Sequence, residues 1–137
     1  MPSCSVIRHA DAFHGKQGLD YTAGVSAETA GAQALCLHRL SMPPGARAHA
    51  HLHRDHESAI FLVSGSCEFW WGARLEHHER VAAGDIVYIP AGVPHLPYNG
   101  GDEVAEAVIA RTDPREQESV ELLPDLDALP HLPPRQS

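Results

Sequence analysis

Between residues 34 and 111 the sequence is cut into short segments rich in branched and aromatic side chains, each closed by glycine, proline or asparagine. This punctuation constrains the fold more than any other feature. A helix needs apolar residues recurring every three to four positions over a stretch of about ten or more, and that period is nearly absent here. Runs of about four to eight residues between turn signals describe strands of an all-β sandwich or barrel. The segments predict strands at residues 34–42, 48–53, 57–64, 66–71, 74–82, 85–90, 95–98 and 104–111. Turns fall at Pro43, Pro44 and Gly45, at Gly65, Gly72, Gly84 and Gly92, and at Asn99, Gly100 and Gly101.

The flanks read differently. Residues 1–30 carry little pattern and predict an N-terminal arm with one short strand, residues 31–112 the barrel itself. Residues 113–137 hold Pro114, Pro124, Pro130, Pro133 and Pro134, which prevent a long helix and predict an extended tail. At 137 residues the chain has the size of one domain and can bury a core without cross-links.

Eighteen acidic residues against ten basic ones give a formal charge of -8. That balance argues against nucleic acid and anionic membrane as partners and leaves a small polar substrate or another protein chain. Cys4, Cys36 and Cys67 are odd in number and far apart, so they suggest neither a disulfide framework nor a cysteine-bound zinc. A reducing compartment fits them. The N-terminal residues lack the apolar stretch of a signal peptide, and no apolar run is long enough to cross a bilayer. The expectation is a soluble cytoplasmic protein.

Four of the eleven histidines fall in residues 48–57, AHAHLHRDHE. Strand residues two apart share a face, so an extended 48–53 segment would project His49, His51 and His53 together. Imidazole and carboxylate groups gathered in this way suit zinc, iron, nickel or copper. Downstream, GDIVYIPAGVPHLPYN sets Gly84, Pro90, Gly92, His95 and Asn99 at fixed intervals: a strand, a tight turn, and a histidine opening the returning strand. Upstream, GARAHAHLHRDHESAIFLVSG sets Gly45, His51, His53, Glu57 and Gly65 in order. His77 and His78 are adjacent, hence on opposite faces, and read as surface residues. Trp70, Trp71, Phe69 and Tyr88 read as packing in or rimming the barrel, with one face of the tryptophan pair able to line a substrate pocket. If residues 105, 107, 109 and 111 face one way, Arg111 reaches the barrel mouth and could clamp a carboxylate. The alternative is an ion pair with Asp113 or Glu118 that fastens the tail.

Together the two segments resemble the paired motifs of the cupin superfamily, over roughly residues 34–111. The resemblance implies a single double-stranded β-helix, or jelly-roll, barrel. It also implies one divalent metal, held by His51, His53 and Glu57 from the first motif and His95 from the second. The second motif matches at every fixed position. The first departs once: seven residues separate Glu57 from Gly65, where the family pattern has six. Counting back from Gly65 puts Ser58 in the glutamate position, and a one-residue shift turns a side chain to the other face. Either a β-bulge turns Glu57 inward, or the site is three histidines with an open position, with His49 and His56 as reserves.

Two histidines and a carboxylate would favour ferrous iron and oxygen chemistry, whereas three histidines favour zinc, with nickel, manganese and iron as alternatives. Further stretches, among them GKQGLDYTAGVSAETAG and VIARTDPREQESVELLP, resemble small stand-alone cupins and the cupin halves of hydrazine-forming synthetases. That likeness implies a zinc site and the joining of the nitrogen of an N-hydroxylated amino acid to a second nitrogen. Two function classes follow. One is a metal-dependent enzyme acting on a small polar metabolite, with Glu57 as ligand or proton acceptor and Arg111 as substrate anchor. The other is a non-catalytic sensor or accessory module that binds a small ligand through the same metal. The family resemblance also implies a homodimer.

Overall fold

The computed structural model describes residues 2–8 and 11–134; the side chains of Glu116 and Glu118 lie outside that description. In chain order its strands begin with β1 (Ala12–His14), β2 (Asp20–Val25), β3 (Cys36–Met42), β4 (His51–His53), β5 (Ser58–Ser64) and β6 (Ser66–Trp71). They continue with β7 (His77–Ala82), β8 (Ile86–Ile89), β9 (His95–Tyr98), β10 (Ala105–Arg111) and β11 (Val120–Leu122). Two single-turn helices, α1 (Ala27–Ala30) and α2 (Pro124–Asp127), and a 3-10 turn over Glu116–Ser119 complete the described residues. One sheet has the order β1-β2-β3-β10-β5-β8 and the other β11-β4-β9-β6-β7, with antiparallel pairing throughout. The all-β jelly roll expected from the sequence is the fold observed.

Alternation with period two builds the barrel. In β3, Cys36, His38, Leu40 and Met42 are buried, while Leu37 and Arg39 face out. In β10, Ala105, Ala107, Ile109 and Arg111 are buried on the matching face. The main core lies between the sheets and includes Leu19, Tyr21, Leu40, Leu62, Phe69, Val81, Ile89 and Ile109. Gly65 turns the chain from β5 into β6 at φ 78°. A side chain there would place its Cβ 2.7 Å from the Val104 carbonyl oxygen and 2.8 Å from the Ala105 Cα. Only glycine meets both demands.

The flanks are more structured than their composition suggests. The N-terminal segment supplies two strands rather than one, and β2 pairs with β3 inside the large sheet. The tail adds β11 to the edge of β4 and then folds back over the outer face of the smaller sheet. There Leu123, Leu126, Leu129 and Leu132 pack with Ala50, Trp70, Leu75, Leu96 and Tyr98 into a second apolar cluster. An ion pair fastens this strap. Arg47 donates from Nη1 to Asp127 Oδ1, from Nη2 to the Asp127 carbonyl and from Nε to the Pro133 carbonyl, each at 2.8 Å. Asp127 Oδ1 also accepts from the Ala50 amide, and the Arg47 and Asp127 side chains are both 3% exposed.

On the outer face of the large sheet several apolar side chains are exposed. Phe61 pairs with Ile86 and Val108, and Ala59 with Tyr88 and Ala110, so one apolar band runs across three strands, with Leu37 beside it on β3. Leu37, Phe61, Val63, Ile86 and Tyr88 are exposed. Among the described residues no helix is long and apolar enough to cross a membrane.

Removing one partner of a buried ion pair strands the other charge, at a cost of about 3–5 kcal/mol. Asp127→Ala should therefore destabilise the protein by about 3 kcal/mol or more in equilibrium urea unfolding, with increased exposure of Trp70 read by fluorescence. An unchanged midpoint would mean that the tail is not held by this pair.

Candidate metal centre

The smaller sheet pairs β4 with β9 so that His51 stands directly opposite His95. His53, two residues along β4, shares their face. Ring centroids are 4.2 Å apart for His51 and His95, 5.1 Å for His51 and His53, and 5.2 Å for His53 and His95. One nitrogen from each ring can be chosen so that all three lie within 4.8 Å of one another. The turn before β9 holds this arrangement. Gly92, at φ 80°, donates its amide to the His53 carbonyl at 2.8 Å and so ties the Pro90–Gly92 corner to β4.

Hydrogen bonds set two of the three tautomers. His51 Nδ1 lies 2.7 Å from the His49 carbonyl oxygen, and His95 Nδ1 lies 2.9 Å from the Val93 carbonyl oxygen. A carbonyl can only accept, so each Nδ1 carries the proton and each Nε2 keeps its lone pair. His53 Nδ1 is buried without a hydrogen-bond partner. Burial also keeps the rings neutral. Desolvation lowers the pKa of His51 well below the ordinary value and lowers that of His53 as well, with the charge of Arg111 acting in the same direction on both. For His95 burial lowers the pKa to about 4, partly offset by the Val93 hydrogen bond. Three neutral imidazoles with fixed lone pairs are a donor set for a divalent ion of borderline softness.

The three histidines face a cavity of about 20 Å³ shared with Tyr21, Ser58, Phe69, Ile89 and Arg111. That is room for about one water. Phe69 and Ile89 also line an adjoining groove of about 520 Å³, with Trp71, Tyr88, Pro90 and Val93.

Glu57 is not part of this group. From Ser58 to Phe61 the pairing of β5 with β8 and with β10 is uniform, so Ser58 and Ile60 face inward and Glu57 falls on the outer side. An irregularity does occur in β5, at Val63, but it lies beyond Leu62 and leaves the parity at Glu57 unchanged. The exposed carboxylate accepts a hydrogen bond from the Tyr88 hydroxyl at 3.2 Å, and the Glu57 amide donates to Thr112 Oγ1 at 3.2 Å. Ser58 takes the inward position and is buried.

His49 also departs from the expected face. The strand predicted over 48–53 is regular only from His51, because the His49 amide donates to the Gln17 carbonyl and the Ala50 amide to Asp127. The His49 ring turns toward Asp127 Oδ2, 3.4 Å away. His56 is buried behind the site, its ring centroid 4.4 Å from that of His53 and its Nδ1 2.7 Å from Ser119 Oγ.

Arg111 is buried in the cavity lining, its guanidinium carbon 5.7 Å from the Tyr21 ring centroid. Asp113 instead lies 3.6 Å from His56 Nδ1, and the side chain of Glu118 is outside the described residues. Tyr21 was not among the residues expected at the site. The signal for it is weak: a buried aromatic at one position of the strand Asp20–Val25, within a segment of little pattern.

In the unfolded chain each histidine protonates near the ordinary pH of about 6.5, whereas in the fold protonation waits until about pH 4 for His95. The unfolded state therefore binds more protons in between, and stability falls as the pH drops through this window. EDTA-treated protein should hold its urea midpoint above about pH 6.5 and lose it progressively toward about pH 4. A midpoint independent of pH across that range would contradict the burial of these rings as neutral bases.

The family model described as "Cupin domain" matches residues 38–110. No curated protein matches the chain in sequence. In fold it is similar to the polyketide cyclase RemF from Streptomyces resistomycificus, at 19% identity and a TM-score of 0.72, over 88% of this chain and 86% of that one. It is also similar to an oxalate oxidase in complex with glycolate, at 18% identity and a TM-score of 0.70, over 89% of this chain and 63% of that one. A third neighbour is an uncharacterized conserved protein with a double-stranded β-helix domain from Klebsiella pneumoniae, at 16% identity and a TM-score of 0.63, over 85% and 87% of the two chains. Sequence match and fold agree, and the chain belongs to the cupin family.

Proposed function

We propose that this cupin is a metal-dependent enzyme acting on a small polar metabolite, with one divalent ion held by His51, His53 and His95. The supporting observation is the convergence of three buried, neutral imidazoles whose nitrogens lie within 4.8 Å of one another. Zinc is the first candidate, since three imidazoles with an open position are a known zinc ligand set; iron, nickel and manganese are the others. When bound, such an ion supplies a Lewis acid and a water of lowered pKa. The reading of an iron dioxygenase with two histidines and a carboxylate rested on Glu57 as ligand, and Glu57 faces away from the site.

The chain's own residues supply the surroundings. Phe69 and Ile89 stand between the small cavity and a groove of metabolite size. Their side chains shield the site from bulk water and are the gate through which a larger substrate reaches it. The likeness to hydrazine-forming synthetases suggests N–N bond formation on N-hydroxylated amino acid derivatives as the first reaction to assay. We place the protein in the cytoplasm on its odd, widely spaced cysteines, and as a homodimer joined through the apolar band around Phe61 and Ile86.

Elemental analysis of untagged protein is the direct test. Wild type should hold about one equivalent of metal, His51→Ala and His95→Ala should lose most of it, and Glu57→Ala should keep it. Wild type without metal after reconstitution, or Glu57→Ala without metal, would defeat the three-histidine centre. Light scattering tests the second copy: Phe61→Glu should convert a dimer to a monomer with metal content unchanged. A wild-type monomer at all concentrations would remove the dimer from the proposal.

A further inference from the structure

Backbone groups hold the rings of His51 and His95, and nothing equivalent holds His53. His51 Nδ1 and His95 Nδ1 each donate to a carbonyl oxygen, whereas His53 Nδ1 is buried with no hydrogen-bond partner. Its strand is short as well, since β4 spans three residues and meets β9 in register only where His51 faces His95. The support for His53 comes from elsewhere. The His56 ring packs against the His53 ring, with centroids 4.4 Å apart and planes inclined by 32°, and both residues are buried. The tail tethers the His56 ring in turn. Ser119 Oγ shares a hydrogen bond of 2.7 Å with His56 Nδ1, closer than Asp113 Oδ2, which lies 3.6 Å from the same nitrogen. The backbone around Ser119 is fixed to the ligand strand: the Arg54 amide donates to the Ser119 carbonyl at 3.0 Å, Val120 stands opposite His53, and the Leu123 amide donates to the Ala50 carbonyl at 2.8 Å. The tail thus brackets β4 at both ends.

We propose that His56 and Ser119 are positioning residues for His53: the Ser119 hydroxyl sets the plane of the His56 ring, and that ring sets the plane of His53. The ring torsion of a histidine is broad, so an imidazole left to itself aims its lone pair at a given point only part of the time. Groups behind a ligand that restrict this freedom commonly change metal affinity by about 10–100-fold. Carbonyl oxygens do so for His51 and His95, and a packed ring does so for His53. Because Ser119 belongs to the tail, the affinity of the centre is coupled to the seating of residues 119–123 beside β4. The effect on affinity rests on the metal-dependent reading; the ring contacts do not.

Zinc affinity of the full chain, measured by chelator competition, tests this assignment, together with the visible spectrum of the cobalt-substituted protein and the urea midpoint of the metal-free protein. His56→Ala and Ser119→Ala should each weaken zinc binding about tenfold or more and alter the cobalt spectrum. His56→Asn keeps a polar group near Ser119 but no ring, and should bind as weakly as His56→Ala. His56→Phe restores a ring and should return affinity to within about threefold of wild type, with the wild-type cobalt spectrum. Adding Ser119→Ala to His56→Phe should then cost nothing further, because the hydroxyl acts through the imidazole. Equal zinc affinity in wild type and His56→Ala, or equal weakness in His56→Phe and His56→Ala, overturns the assignment and leaves the three-histidine centre standing. So does a lowered urea midpoint with a wild-type cobalt spectrum at saturation, which marks a structural role alone. Wild type that takes up neither zinc nor cobalt defeats the metal centre instead, and ring-proton NMR of the metal-free chain then decides the positioning. His53 resonances that shift in Ser119→Ala, with those of His51 and His95 unmoved, support it; His53 resonances indifferent to Ser119→Ala overturn it.

Discussion

Antiparallel pairing of β4 with β9, with His51 facing His95, is the contact on which the rest of the site depends. It brings together two segments more than forty residues apart in sequence and turns both imidazoles into the same interior. His53 follows from strand parity alone, two positions along. The Gly92 amide and the His49 and Val93 carbonyls then fix the corner and the ring orientations. The centre is built on rigid elements rather than on a loop.

Parity also decides what the centre is not. A carboxylate one residue out of phase with an interior hydroxyl cannot share its face while the ladder is regular, and β5 is regular from Ser58 to Phe61. Among the described residues, the cavity lining carries imidazole, hydroxyl and guanidinium. Burial in such surroundings disfavours additional positive charge, which is why all three imidazoles resist protonation. The same desolvation that costs stability when they protonate leaves their lone pairs available at neutral pH.

The two sheets differ in how their outer faces are treated. On the smaller one the tail lays down leucines and is pinned by Arg47 and Asp127, which makes a second core. That strap also reaches the site indirectly, since β11 lies against β4 and Ser119 holds the His56 ring behind His53. The larger sheet keeps its apolar outer band exposed, a surface of the kind that marks association.

Residue spacing by itself determined the strand pattern and turns of the barrel, and the likeness to the paired cupin motifs singled out His51, His53 and His95. Glycines and prolines at fixed intervals restrict backbone conformation locally, and strand periodicity needs no knowledge of the partner strand. It also exposed the one-residue excess before Gly65, but not its resolution, because both registers satisfy local rules. Only the tertiary structure decided that Ser58 faces in and Glu57 out, through uniform pairing on both sides of β5. The same holds for His49, drawn off by Gln17 and Asp127, and for Tyr21, brought under Arg111 by a strand that composition had marked as an arm. These are contacts between segments distant in sequence, and no local pattern encodes a neighbour that only the closed barrel supplies.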